Sequence, residues 1–237
     1  MDNFLKKYIE KVGIILTDKQ VCQLDKYYEM LVEKNKVMNL TAITEYRDVV
    51  IKHFADSLAI INSFNIEKVS SMIDIGTGAG FPGIVLKIVF PDIRVTLLDS
   101  LNKRINFLNE VINELSLKDI CTIHGRAEDF AHNASYREKF DLCVSRAVAN
   151  LSTLSEYCIP FVKIGGNFIS YKAGDCSEEV DNAKTAILKL GGEIINICEY
   201  VLPDTDIQRN FVNIRKNIKT KNIYPRKAGV PSKEPLK

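Results

Sequence analysis

The sequence predicts an α/β protein, a mostly parallel sheet with helices on both faces, preceded by a helical lobe. From Met72 onward short apolar runs alternate with helical periods, the signature of such a sheet. A glycine-rich turn, Gly76, Gly78 and Gly80, follows the first run, as in nucleotide-binding βαβ units. Residues 1–66, by contrast, show helical spacing alone.

The 237 residues are 46% hydrophobic and 26% charged, which suits one main domain with an appendage. No apolar run approaches the ~20 residues of a membrane span. The N-terminal stretch MDNFLKKYIEKVGIIL is too mixed in charge for a signal peptide. Cys22, Cys121, Cys143, Cys158, Cys176 and Cys198 form no C-x-x-C pair and have mostly apolar neighbours, which reads as buried reduced thiols in a cytoplasmic protein. His53, His124 and His132 show no metal-ligand spacing. From Arg215 to Lys237 eight Lys or Arg face Glu234 alone, so this segment carries +7 and the remainder −5 of a net +2. A basic segment on a mildly acidic body suits either a solvated tail or a locally contacted polyanion.

Leu5, Ile9 and Val12 predict a first helix within 4–16, ending near Gly13. Thr17 to Gln20 is a capping box for a second helix, with Val21, Leu24, Tyr28, Leu31 and Val32 on one face and fraying at Lys34–Lys36. After a turn at Asn39–Ile43, a third helix over 45–63 carries Val49, Val50, His53, Phe54, Leu58 and Ile61. This lobe has too little apolar surface to stand alone and is expected to pack on the main domain. The predicted strands are 72–75, 94–98, 120–124, 141–145, 166–171, 194–201 and 209–215, with helices at 82–90, 102–115, 150–160 and 177–190. Leu202–Asp206 has no helical pattern, so the last two strands are expected as an antiparallel edge hairpin. The divisions are thus a helical lobe (1–66), the α/β domain (67–216) and a basic tail (217–237).

Gly78-x-Gly80-x-x-Gly83 followed by Asp99 matches the NAD fingerprint, which keeps an NAD-dependent oxidoreductase open. Three features point elsewhere. Asp74 precedes the glycines within the first strand, and an acid there disfavours a diphosphate but suits a cationic ligand such as a sulfonium with its ammonium. Pro82 removes an N–H from the first helical turn. No second mononucleotide unit follows. S-adenosylmethionine has the required charges. Asp99 suits a ribose diol, and Glu128 suits an adenine amine with an adjacent backbone N–H on a ring nitrogen; with Asp74 they place acids at three successive strand ends, on the carboxyl edge where open α/β sheets bind ligands.

The chemistry is constrained by what is missing. No Asp/Asn-Pro-Pro-aromatic motif for exocyclic amine methylation follows the fourth strand, and Cys143 lies mid-strand as a core residue rather than a nucleophile. No acid or base for catalysis is assigned. A nucleophile with a free lone pair, such as guanine N7, needs none, because positioning supplies the rate. Arg146, at the end of the central strand, suits a guanine edge, a phosphate or the cofactor.

The chain resembles the bacterial 16S ribosomal RNA guanine-N7 methyltransferase family, RsmG or GidB. The similarity rests on Asn35-x-x-x-Asn39-Leu-Thr-Ala-Ile43, His53-x-x-Asp56-Ser57-Leu58, Asp74-Ile-Gly76-Thr-Gly78-Ala-Gly80-Phe81-Pro82-Gly83 and Leu98-Asp99-Ser100-x-x-Lys103-Arg104. It extends through Arg126-Ala127-Glu128, Ser145-Arg146-Ala147, Gly165-Gly166, Arg209-Asn210 and Tyr224-Pro225-Arg226-Lys227-x-Gly229-x-Pro231. The resemblance implies a class I, Rossmann-like methyltransferase fold with strand order 3-2-1-4-5-7-6, and S-adenosylmethionine as methyl donor. It implies 16S ribosomal RNA, the small subunit or an assembly intermediate as partner; independently of the resemblance, a monomer and no membrane contact are expected. It implies cofactor contacts at Gly76, Phe81, Ala127, Glu128 and Arg146, with Gly78, Gly80 and Asp99 lining the same pocket. Arg126, Arg209, Arg226 and Lys227 become candidates for RNA phosphates. Where the family often carries Trp before the first Asn, this chain has Lys34. A non-catalytic RNA-binding module remains the third reading.

Overall fold

The computed structural model describes residues 3–146 and 149–237. Ala147, the last residue of the Ser145-Arg146-Ala147 motif, lies outside the described residues. Seven strands build one sheet: β1 (Ser71–Ile75), β2 (Arg94–Asp99), β3 (Ile120–His124), β4 (Phe140–Ser145), β5 (Val162–Ala173), β6 (Gly192–Val201) and β7 (Gln208–Lys216). Their order is β3-β2-β1-β4-β5-β7-β6. Pairings among β1 to β5 are parallel, and β7 runs antiparallel to both β5 and β6. The hairpin turns inward, so that β7 is interior and β6 forms the edge. The sequences explain the choice. Phe211, Val212 and Ile214 of β7 are buried, whereas Ile195, Ile197 and Val201 of β6 are exposed; a strand apolar on both faces needs cover on both.

Strand alternation sorts side chains into two layers. Ile73, Leu98, Cys143 and Phe168 face one, and Met72, Leu97, Leu142 and Ile169 the other. The second layer holds the N-terminal lobe, made of α1 (Phe4–Val12), α2 (Asp18–Met38) and a broken third segment. Leu5, Ile9, Leu24, Phe54 and Leu58 share its core with Ile84 and Leu108 of the sheet-covering helices. The lobe is therefore a layer of the main core. The capping box at Thr17 forms: Gln20 N–H donates to Thr17 Oγ1 at 3.3 Å and Thr17 N–H donates to Gln20 Oε1 at 2.9 Å.

Two helices differ from the reading of the sequence. α2 does not fray at Lys34–Lys36 but runs on to Met38 and ends at Asn39 in the left-handed region, where Asn is tolerated. The expected helix over 45–63 is interrupted: α3 (Tyr46–Val49) passes into a π-helical turn, Val50–Ala55, then α4 (Asp56–Leu58) and a 3₁₀ turn, Ala59–Asn62. A π turn inserts a residue and rotates the face that follows it, which hydrophobic periodicity alone does not reveal.

The remaining helices are α5 (Gly83–Val89), α6 (Asn102–Glu114), α7 (Ala127–Phe130), α8 (Leu151–Cys158), α9 (Ser177–Lys189) and α10 (Val230–Lys233). α5 is buried along its whole length between lobe and sheet, as its nearly unbroken apolar sequence requires. Lys87, its one charge, donates to the carbonyls of Pro91 and Ile93 at 2.6 and 2.7 Å. Lys34 bonds Glu110 at 2.7 Å, so the family's usual Trp position is here an ion pair tying α2 to α6. Cys143, Cys158 and Cys176 are buried, but Cys22 and Cys121 are exposed, correcting the reading of all six as core thiols. Among the described residues no helix is long and apolar enough to cross a membrane.

Candidate active site

At the carboxyl edge of β1, β2, β3 and β4 lies a cavity of about 690 Å³. Its floor is the glycine loop after β1. Gly76 and Gly78 adopt φ of 70° and 63°, a region that favours glycine. A Cβ at Gly78 would meet no protein atom closer than Gly76 O at 3.9 Å, so the space beside it is open to the cavity. Gly80 stands behind the loop, because a Cβ there would lie 2.7 Å from Tyr27 Oη and 2.6 Å from Ile84 Cγ1. The pocket-lining role expected of Gly80 is thus corrected to a packing role: it admits Tyr27, which donates to Ala79 O at 2.5 Å.

Asp74 is fully buried. Its Oδ2 accepts from Thr77 Oγ1 at 2.7 Å and Gly83 N–H at 2.9 Å, bracing both ends of the loop. Its Oδ1 has no partner. Burial raises its pKa to about 6, against the lowering by its hydrogen bonds and by Arg146. The acid read as attracting a cation is chiefly the brace of the loop. Asp99 lines the cavity and accepts from Gly78 N–H and Leu101 N–H, both at 2.9 Å, and from Arg104 Nη1 at 3.3 Å. A carboxylate has about four lone-pair sites, so Asp99 retains one for a ligand. Ala127 and Glu128 form the wall beyond β3, and Glu128 accepts from Gly229 N–H at 3.0 Å.

The opposite wall comes from the lobe, which carried no assigned role in the sequence. His53 sits in the π turn and stacks on Phe81 with centroids 4.4 Å apart. Arg146 lies over the same ring at 5.1 Å. It donates to Asp56 Oδ2 at 2.6 Å and to His53 Nδ1 at 3.3 Å. Because a guanidinium only donates, Nδ1 is the acceptor and the ring hydrogen is on Nε2, donating to Thr41 Oγ1 at 2.8 Å. Burial, with Arg146 adding to it, lowers the His53 pKa to about 3; the ring is neutral. The Asn35–Ile43 motif serves this arrangement: Asn35 Oδ1 accepts from Thr41 N–H at 2.9 Å, and Thr41 Oγ1 from Ile43 N–H at 3.0 Å.

Asp56 also accepts from Arg209 Nε at 2.5 Å. Arg146 and Arg209 therefore flank one buried carboxylate and both line a second cavity of about 700 Å³, which shares His53 and Arg146 with the first. Arg226 is bound to Glu156 at 2.8 Å. Of the four cations expected at RNA phosphates, Arg209 and Arg226 are occupied by internal carboxylates, whereas Arg126, on the rim of the first cavity, and Lys227 are exposed. Among the described residues no cluster of His, Cys, Asp or Glu is arranged to hold a metal. His53 and Asp56 were legible only as parts of a motif. Their function depends on the π turn and on a partner 90 residues away.

The family model described as rRNA small subunit methyltransferase G (GidB) matches residues 20–210. The chain is 52% identical over 228 residues to a ribosomal RNA small subunit methyltransferase G of Lachnoclostridium phytofermentans, covering 96% of this chain and 94% of that protein. It is 51% identical over 237 residues to the protein of the same name from Alkaliphilus oremlandii, covering 100% and 99%. Among solved structures it is similar in fold to MtNAS in complex with MTA and tNA (TM-score 0.56, 16% identity, 81% of this chain and 74% of that one). It is likewise similar to the Methanococcus jannaschii fibrillarin pre-rRNA processing protein (TM-score 0.50, 20% identity, 65% and 70%).

Proposed function

The chain belongs to the GidB family of ribosomal RNA small subunit methyltransferases G, and we propose that it transfers a methyl group from S-adenosylmethionine to N7 of a guanine in 16S ribosomal RNA. The observation that supports this reading is a two-sided cavity: glycine loop, Asp99 and Glu128 on one side, neutral His53 and fixed Arg146 on the other. The residues fit the cofactor. Gly78 leaves open space for a ligand, Asp99 keeps a lone pair that would accept from a ribose hydroxyl, and Glu128 would accept from the adenine amine. Gly76 and Ala127 present backbone to the ligand, and Phe81 gives an apolar wall. When bound, S-adenosylmethionine supplies the electrophilic methyl group.

The chain's part in the reaction is placement. Guanine N7 attacks with its own lone pair, so no side chain moves a proton at the attacking atom. A histidine held neutral by burial suits such a site, since it adds no second positive charge beside Arg146. Arg146 lines both cavities and is held in place by Asp56 and His53, so it would help to orient the groups bound there. Arg126 and Lys227 are the exposed cations for the RNA backbone.

The test is to incubate the chain with unmethylated small-subunit ribosomal RNA and labelled S-adenosylmethionine, then map the product by mass spectrometry. The expected product is a single N7-methylguanosine. A methyl group on any other atom sinks the reading. In calorimetry, S-adenosylhomocysteine is expected to bind saturably and NAD not at all; NAD binding alone restores the oxidoreductase.

A further inference from the structure

Lys227 apart, the motif Tyr224-Pro225-Arg226-Lys227-x-Gly229-x-Pro231 has no part in methyl transfer so far. It folds as a strap, including α10, across α7 and α8, and its two anchors on α8, Glu156 and Thr153, are buried. Arg226 donates from its backbone N–H to Glu156 Oε1 at 2.7 Å, from Nε to the same oxygen at 3.0 Å and from Nη2 to Oε2 at 2.8 Å. Glu156 has no exposed surface; such a carboxylate requires a hydrogen-bonded cation. One helical turn away on α8, Thr153 Oγ1 donates to Pro231 O at 2.9 Å. His132 Nε2 donates to Pro225 O at 2.7 Å.

Between these anchors the strap turns at Gly229, with φ of 83°. A Cβ at Gly229 would meet nothing within 4 Å, so glycine is required for backbone direction and not for room. That direction aims the Gly229 N–H at Glu128 Oε1, 3.0 Å away. Glu128 is 6% exposed and lies on the cavity wall. The bond fixes one carboxylate oxygen from behind and leaves the other for a ligand. Ser232 lies against Tyr157, a second wall residue. A tail that needed only to be tied down would be held by Glu156 and Thr153. The contact with Glu128 does something more.

We propose that the strap is a working part of the cofactor site: the Arg226–Glu156 pair sets Gly229, and Gly229 orients Glu128, so cofactor affinity depends on residues that never touch the cofactor. The inference rests on the reading of the first cavity as the S-adenosylmethionine site. Arg226, Glu156 and Thr153 are then positioning residues.

The experiment is calorimetry of the full chain with S-adenosylhomocysteine, for the unaltered protein, Arg226→Lys, Thr153→Val, Glu128→Gln, and Arg226→Lys combined with Glu128→Gln. Loss of a hydrogen bond to a charged group corresponds to about tenfold or more in affinity. Arg226→Lys is expected to weaken binding by about that factor, and Thr153→Val by a smaller but measurable one. Removing the Glu128 charge first should cancel the effect of Arg226→Lys, since both act through one group. Unaltered affinity in both strap variants overturns the inference, as does a double variant in which the two losses multiply. Should the unaltered protein itself fail to bind S-adenosylhomocysteine, the cofactor assignment falls and the strap inference with it. Binding that is insensitive to the strap overturns the strap inference alone.

Discussion

His53 and Asp74 are both buried at the cavity, and burial moves them in opposite directions. His53 falls from 6.5 to about 3. Between those values the unfolded chain takes up a proton that the folded chain refuses, so acidification below pH 6.5 favours unfolding. Asp74 rises from 3.8 to about 6. Its folded form holds the proton more tightly, so its contribution is complete below pH 3.8 and is lost as the pH rises through 6. His53→Gln is therefore expected to flatten the acid limb of stability, by up to about 1.4 kcal/mol per pH unit. Urea midpoints measured from pH 4 to 7 check this; an acid limb as steep as that of the unaltered protein contradicts it.

At the scale of elements, the π turn is what makes the lobe part of the site. It places His53 on Phe81 and Asp56 between two arginines. An uninterrupted α-helix would rotate one of the two faces away. Asp56 is the group on which this element depends, because it is 1% exposed and holds Arg146 and Arg209 together. Asp56→Ala leaves two guanidiniums without their carboxylate, and a loss of about 3–5 kcal/mol is expected, read as a lower urea midpoint at unchanged slope. Six strands were legible to within two residues of their observed bounds, since period-two and continuous apolar runs are local signals; β5, expected at 166–171, spans Val162–Ala173. The π turn was not, because it inserts one residue into a segment whose periodicity still reads as helix.

At the scale of the whole molecule, the +7 segment is not a free cationic tail. Lys216 is 1% exposed, bonded to Ile159 O at 3.1 Å and paired with Glu138, and Arg226 is neutralised by Glu156. The exposed cations of this segment are Arg215, Lys219, Lys221, Lys227, Lys233 and Lys237. Together with Arg126 they are the charge proposed to face a polyanion. Changing Arg126 and Lys227 to Ala is expected to lower the log–log salt slope of RNA binding by about 0.7 to 0.9 for each phosphate no longer neutralised, without a change in melting temperature. Filter binding at several salt concentrations checks it, and an unchanged slope moves the RNA surface elsewhere.

The sequence by itself determined the strand succession, the inward-folded hairpin as a hairpin, the glycine loop and the acids at the ends of β2 and β3. Each depends on residues close together in the chain: periodicity, turn chemistry and strand-end position. Only the tertiary structure decided that Asp74 braces the loop, that Gly80 makes room for Tyr27, that Arg226 serves Glu156 instead of solvent, and that His53 joins Arg146. Except for Asp74, whose partners Thr77 and Gly83 lie three and nine residues on, those roles are settled by partners more than 50 residues away, and the geometry that brings such partners together has no local signature.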